Sequence, residues 1–269
     1  MTICIAALCE KGEKIIIAAD RMVTVGQIIE FEHDVPKFVN LAENCVIMTA
    51  GSTTLQNDII KEAVSKIKGL KKPTFKQITD EIKNSYTTIR IKRAEETILK
   101  PKNMNFQSFY QNQRALLPEI VFQMTDAINR TNLGVEYILC GFDEDGGHIH
   151  YIVDPGTSEC WDTVGFCAIG TGNVNAVSAF TAHNYAPNYS LEKALYLVYL
   201  AKKEAQRAPG VGDDTDIAII TKESIKYLNS EEKKELELIR RKFMKIEEEE
   251  YREVKSKIVN NWENATNKN

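Results

Sequence analysis

Met1-Thr2-Ile3-Cys4-Ile5-Ala6-Ala7-Leu8-Cys9 and Ile15-Ile16-Ile17-Ala18-Ala19-Asp20-Arg21 open the chain, separated by a turn at Glu10-Lys11-Gly12. The two apolar runs predict a β-hairpin over residues 2–9 and 14–20. They are almost unbroken, so both faces of the hairpin are expected to be covered. Thr2 follows the initiator methionine directly, and methionine aminopeptidase removes Met1 when the next residue is small. The mature chain would then begin at Thr2, with its hydroxyl and a free α-amino group on one residue. Such an amine titrates near pH ~8 and can serve as base toward its own hydroxyl, which makes an activated nucleophile. Met-Thr is also a common way to begin a chain, so Thr2 needs support from other residues.

A length of 269 residues suits one large domain, or one domain with an appendage. Hydrophobic and charged fractions of 43% and 27% are those of a globular chain with ample core. A net charge of −4 with no basic face argues against nucleic acid as a partner. No apolar run approaches the ~20 residues that cross a bilayer, and the start lacks a signal-peptide layout. Cys4, Cys9, Cys45 and Cys140 sit in or beside apolar strand-like runs, and no CxxC pair occurs. A reduced, cytoplasmic protein without a zinc site is the expectation. His148 and His150 share a strand face, but with no third ligand nearby they read as polar face residues. Asp213, Asp214 and Asp216 could hold a hard cation or form a solvated acidic turn; neither a metal nor a cofactor is expected.

Further strands are predicted at 35–39, 45–50, 137–142, 148–153, about 160–169, 216–221 and 225–228. Residues 25–34 read as polar and irregular. Helical spacing marks Leu55 to Ile67, and Thr74 with Gln77 forms a capping-box start to a helix running toward Leu99. An excursion over about 100–135 begins with the polar, exposed 100–113 and contains a short helix, Leu116 to Asn129. Helices also follow Gly170-Thr171-Gly172 and Ser190. Strands, two helices, strands, two helices, strands is the order of an α+β fold, two sheets sandwiched between helix layers in a four-layer αββα arrangement. That domain is expected over 2–228. Residues 229–269 form a charged helical extension whose apolar stripe (Leu236, Ile239, Phe243, Ile246) either backs a solvated face or holds a neighbouring subunit.

Several motifs together resemble proteasome β-type subunits and their bacterial relatives, the N-terminal-nucleophile (Ntn) hydrolases. They are Thr2 opening a strand, Ala18-Ala19-Asp20-Arg21, Lys37, Met48-Thr49-Ala50-Gly51-Ser52, Cys140-Gly141-Phe142-Asp143, Tyr151-Ile152-Val153-Asp154-Pro155-Gly156 and Ala168-Ile169-Gly170-Thr171-Gly172. Each is weak alone; their order and separation carry the resemblance. The layout is similar to propeptide-free bacterial and archaeal members, since Thr2 is reached by removing one methionine. The resemblance implies Thr2 Oγ as nucleophile and its amine as proton shuttle. Lys37, as an ammonium, would lower the hydroxyl's pKa, and Asp20 would hold and aim Lys37. The Gly51 N–H would donate to the oxyanion, an interaction typically worth ~3–4 kcal/mol. Val23, Thr24 and Thr49 would border the substrate pocket. Taken singly, Asp20 also fits a turn, Lys37 an edge-strand charge and Gly51 an unusual backbone angle.

The resemblance weakens late in the chain. Where the family steadies its amine with an aspartate and a serine, this sequence has Ala208 and Val211. Asp213 or Asp214 would have to substitute, and Thr171 matches a further serine position. The implied activity is cleavage of peptide or other amide bonds in a peptide or protein substrate through an acyl-Thr2 ester. The implied assembly is a homo-oligomer, a ring being one form of it, with an ATPase or regulator left open as a further partner. Other readings stay open: a transferase that resolves the ester with an amine, as the proteasome-related connectases do, a non-catalytic structural subunit, and a small-amide hydrolase acting outside a ring.

Overall fold

The structure, a computed structural model, describes residues 2–25, 29–32 and 37–259. Its strands are β1 (Cys4–Cys9), β2 (Lys14–Asp20), β3 (Met22–Val25), β4 (Ile29–Glu32), β5 (Phe38–Ala42), β6 (Cys45–Gly51), β7 (Val135–Phe142), β8 (Gly147–Val153), β9 (Thr157–Cys160), β10 (Phe166–Ile169), β11 (Thr215–Ile220) and β12 (Ile225–Tyr227). Its helices are α1 (Thr53–Ile67), α2 (Phe75–Ala94), α3 (Phe106–Asn112), α4 (Pro118–Asn129), α5 (Asn173–Ala182), α6 (Leu191–Ala205) and α7 (Ser230–Val254). The chain forms two compact units, Met1–Tyr227 and Leu228–Asn269.

In the first unit, one sheet has the order β10-β1-β2-β11-β12 and the other β5-β6-β7-β8-β9, every pairing antiparallel. Strand alternation sorts the side chains. Cys4, Ala6, Leu8, Ile15, Ile17 and Ala19 of one sheet meet Val46, Met48, Ala50, Ile138 and Cys140 of the other. The opposite parity of the second sheet, Cys45, Ile47, Tyr137 and Leu139, packs on Ile59, Ala63, Ile78 and Ile82 of α1 and α2. On the outer face of the first sheet, Ile5, Ala7, Ile16 and Ala18 are fully buried, with α5 and α6 packed on it. This is the αββα sandwich, and the doubly covered opening hairpin follows from its unbroken apolar runs. Each fully buried isoleucine contributes about 1.5–3 kcal/mol.

Local sequence fixes several boundaries. Thr74 accepts from the Gln77 N–H while the Gln77 side chain accepts from the Thr74 N–H, starting α2 in a capping box. A widened turn, Glu95–Leu99, continues α2. The stretch 100–113 is more ordered than its polarity suggests. Asn105 caps α3, and Leu99, Phe109 and Met124 form a small core beneath α3 and α4. Within the stretch 25–34, Val25 and Ile29–Glu32 are strand residues, β3 pairing with β4 with Val23 opposite Phe31, while positions 26–28 and 33–34 lie outside the described residues. The strand expected over 35–39 begins only at Phe38; positions 35 and 36 lie outside the described residues.

The single strand expected over 160–169 is two strands in different sheets. β9 pairs with β8, and β10 with β1. The break lies at Trp161–Gly165, where the Asp162 carboxylate accepts from the Ile149 N–H (2.7 Å). Gly165 turns at φ +83°, against Pro187; a Cβ there would lie 2.3 Å from the Pro187 ring. That crossing is what brings β10 beside the N-terminal strand.

In the second unit, Asn229 accepts from the N–H groups of Glu231 and Glu232 and starts α7. Arg240 and Arg241 reach back to Glu237 along one face. Leu236 is buried, whereas Ile239, Phe243 and Ile246 are exposed.

His148 is clamped at the base of the β7–β8 hairpin. Its Nδ1 lies 2.7 Å from Asp162 and its Nε2 2.8 Å from Asp143, and Phe75 stacks on its ring. Burial alone would push its pKa down, but the two carboxylates outweigh burial and hold it above the ordinary value. Asp143 is held below the usual range despite its own burial, chiefly by the His148 hydrogen bond. A raised histidine stabilises fully below its ordinary pKa and loses that contribution as pH rises through the folded-state pKa. His148→Gln is therefore expected to destabilise more at about pH 6 than at about pH 9, read by urea denaturation at both values. Equal losses would contradict the clamp.

Candidate functional site

Thr2 lies just before β1, and Asp20 closes β2 beside it. The register places Cys4 opposite Ala19, and the Asp20 N–H donates to the Ile3 carbonyl (3.2 Å). Asp20 is fully buried, on the same strand parity as Ile16 and Ala18. A buried carboxylate demands donors, and four reach it. Oδ1 accepts from the Ile3 N–H (2.9 Å) and Lys37 Nζ (2.6 Å). Oδ2 accepts from the N–H groups of Met22 (3.2 Å) and Gly212 (3.0 Å). Lys37, immediately before β5, also donates to Thr2 Oγ1. A cation thus bridges the carboxylate to the threonine hydroxyl, and Thr2 itself is only 7% exposed.

The second sheet supplies the other wall. Cys4 donates its thiol to the Thr49 carbonyl (3.4 Å), which sets the end of β6 beside the start of β1. Burial pushes the Cys4 pKa up to about 12, so this thiol stays protonated and offers no thiolate beside Thr2. Thr49 is buried, and Gly51 ends β6 exposed, at φ +102°. A Cβ on Gly51 would lie 2.0 Å from the Gly134 carbonyl oxygen, so both the angle and the space require glycine. Val23 is half-buried in β3. Thr24 follows it in that strand, with its side chain outside the described part of the structure, as is Met1.

Two later turns close around Thr2. Gly170, at φ +93°, presses on the Thr2 carbonyl; a Cβ would come within 2.3 Å of that oxygen. The Gly172 N–H donates to the same oxygen (3.4 Å). Thr171 between them is exposed, and its hydroxyl makes no described hydrogen bond to Thr2. The second turn is 211–214. Val211 packs against Gly172, and the Gly212 N–H is the fourth donor to Asp20. Asp213 comes close through its backbone: its carbonyl accepts from Lys202 and Gln206, while its side chain is exposed and makes no hydrogen bond to Thr2 among the described residues. Asp214 is also exposed, and Asp216 is taken by a bidentate pair with Arg21 (2.7 and 2.8 Å). No group of three or more metal-ligating side chains occurs among the described residues.

Several participants escape a sequence reading. Glu136 accepts from the Tyr151 hydroxyl (2.7 Å) and the Gly170 N–H (3.3 Å), tying β7 and β8 to the first turn. Glu32 accepts from the Asp214 N–H (3.0 Å). Lys202 is fully buried, though Lys202-Lys203 near a helix end reads as solvated charge. One signal was present: Val198, Ala201 and Ala205 place Lys202 within the buried stripe of α6.

Residues 103–220 match the model of the proteasome subunit family. The matched stretch includes Thr171 and Asp213; Thr2, Asp20, Lys37 and Gly51 lie before it. No curated protein matches the chain. No helix among the described residues is long and apolar enough to cross a membrane.

Asp20 is the group on which this arrangement turns. Asp20→Ala would leave the half-buried Lys37 and three N–H groups without their acceptor. It is expected to lower unfolding free energy by about 3–5 kcal/mol, read by urea denaturation. A loss below about 1 kcal/mol would contradict the burial of that charge.

Proposed function

We propose that this chain is a proteasome-like N-terminal-nucleophile hydrolase, a reading supported by the match of residues 103–220 to the proteasome subunit family. On that reading it is a threonine hydrolase of peptide or other amide bonds, with Thr2 as nucleophile. The observation that carries this reading is Lys37 donating to Thr2 Oγ1 while held 2.6 Å from the buried Asp20. Removal of Met1 frees the Thr2 amine. Thr2 Oγ attacks the substrate carbonyl carbon as its proton passes to that amine, and the Lys37 ammonium stabilises the developing alkoxide. The oxyanion is met by the Gly51 N–H. The C–N bond then breaks, the amine hands its proton to the departing nitrogen, and an acyl-Thr2 ester remains. Water, deprotonated by the same amine, cleaves the ester and restores the hydroxyl. Val23, Thr24 and Thr49 border the pocket for the residue before the scissile bond. Proteasome-family members typically assemble into rings, and a homo-oligomer is the matching proposal here.

A second reading, a non-catalytic subunit that keeps the fold, draws on the late turn. Ala208 and Val211 stand where the family resemblance places an aspartate and a serine, and the Asp213 carboxylate is exposed. Acylation by a threonine-reactive β-lactone separates the two. The hydrolase reading predicts one adduct in the wild type and none in Thr2→Ala. Lys37→Met should slow adduct formation roughly a hundredfold or more. A folded wild-type chain beginning at Thr2 that takes no adduct would establish the subunit reading instead.

A further inference from the structure

Among the described residues Lys202 hydrogen-bonds no carboxylate, although it is fully buried in α6 beneath the first sheet. Its Nζ donates instead to two successive carbonyls, Gly212 (2.9 Å) and Asp213 (2.8 Å). Gln206, one helical turn on, donates to the same two oxygens (3.1 and 3.0 Å). On the other side of the turn the Gly212 N–H is held by Asp20 and the Asp214 N–H by Glu32. Each of three consecutive peptide units, from 211–212 to 213–214, is therefore held by at least one hydrogen bond, and 213–214 is held from both sides. There is little slack: a Cβ on Gly212 would come within 2.7 Å of the Glu32 carboxylate and 3.0 Å of Met22.

A buried amine is an expensive way to satisfy two carbonyls that a neutral amide also reaches. Burial pushes Lys202 down to about 7, against the opposing pull of Asp20, Asp213 and Glu32. Its location explains its presence: the turn it holds supplies one of the four donors that orient Asp20, and Asp20 holds Lys37 on Thr2.

We propose that Lys202 is a positioning residue for the chemistry at Thr2, acting through the Gly212–Asp213 turn and Asp20. It steadies, from behind the turn, the peptide units that aim the Gly212 N–H at Asp20. The proposal rests on the reading of Thr2 as nucleophile.

The test is two-step inactivation kinetics with the β-lactone, which separate its binding constant from the rate of acylation, on the full chain. Lys202→Met removes both hydrogen bonds at nearly constant volume. It should slow acylation about tenfold to a hundredfold, the scale of a small misplacement of reacting groups. Lactone binding should stay within about twofold and the thermal midpoint at or above that of the wild type. Acylation within about twofold of wild type, or acylation and binding weakened together, would overturn the proposal. Should Lys202→Met fail to fold, Lys202→Gln, neutral and shorter, carries the test: acylation slowed with binding unchanged supports the pinned turn, and wild-type kinetics overturn it. A folded wild type that never acylates refutes the nucleophile itself, and the role of Lys202 with it.

Discussion

A fully buried carboxylate at Asp20 is the constraint from which the site follows. An anion taken out of water must be met by donors on nearly every lone pair, and here they come from four separate places. Ile3 stands at the head of β1, Met22 just past β2, Lys37 ahead of β5 and Gly212 ahead of β11. Satisfying one side chain therefore aligns the chain start, the second sheet and the late turn. The Lys37 contact with Thr2 Oγ1 is a consequence of that alignment: a lysine recruited to neutralise Asp20 has its remaining donors facing the hydroxyl.

The fold was legible where one strong local signal was enough. Unbroken apolar runs at 3–8 and 15–19, split by a turn at Gly12, mark doubly covered strands, and the Thr74–Gln77 pair marks a helix start. It was less legible where polarity masked structure. The Met22–Val25 and Ile29–Glu32 strands pair as an isolated two-stranded sheet, and α3 buries little beyond Phe109. The crossing at 161–165 was hidden because its cause, the Pro187 ring against Gly165, lies more than twenty residues away in sequence.

The site divides in the same way. Thr2, Asp20, Lys37 and Gly51 stand at ends of elements that the sequence marks clearly, and the structure gathers Thr2, Asp20 and Lys37 into one hydrogen-bonded group. The late turn did not yield to the same reasoning, because its hydrogen bonds run through backbone carbonyls and N–H groups that carry no residue identity. Asp213 was singled out for its carboxylate, yet its carbonyl is what faces inward. Lys202 is a lysine beside a second lysine near a helix end, a pattern that by itself carries no sign of burial, yet it is buried. A search for side-chain chemistry thus finds the donors to Thr2 and misses the supports behind them.

A live N-terminal threonine shows itself in the intact mass of the purified protein before and after incubation with a threonine-reactive β-lactone, with the adduct located by fragmentation. The expected result is a chain beginning at Thr2 that gains one acyl group, on Thr2 itself. Retained Met1, or an adduct on any other residue, would contradict it.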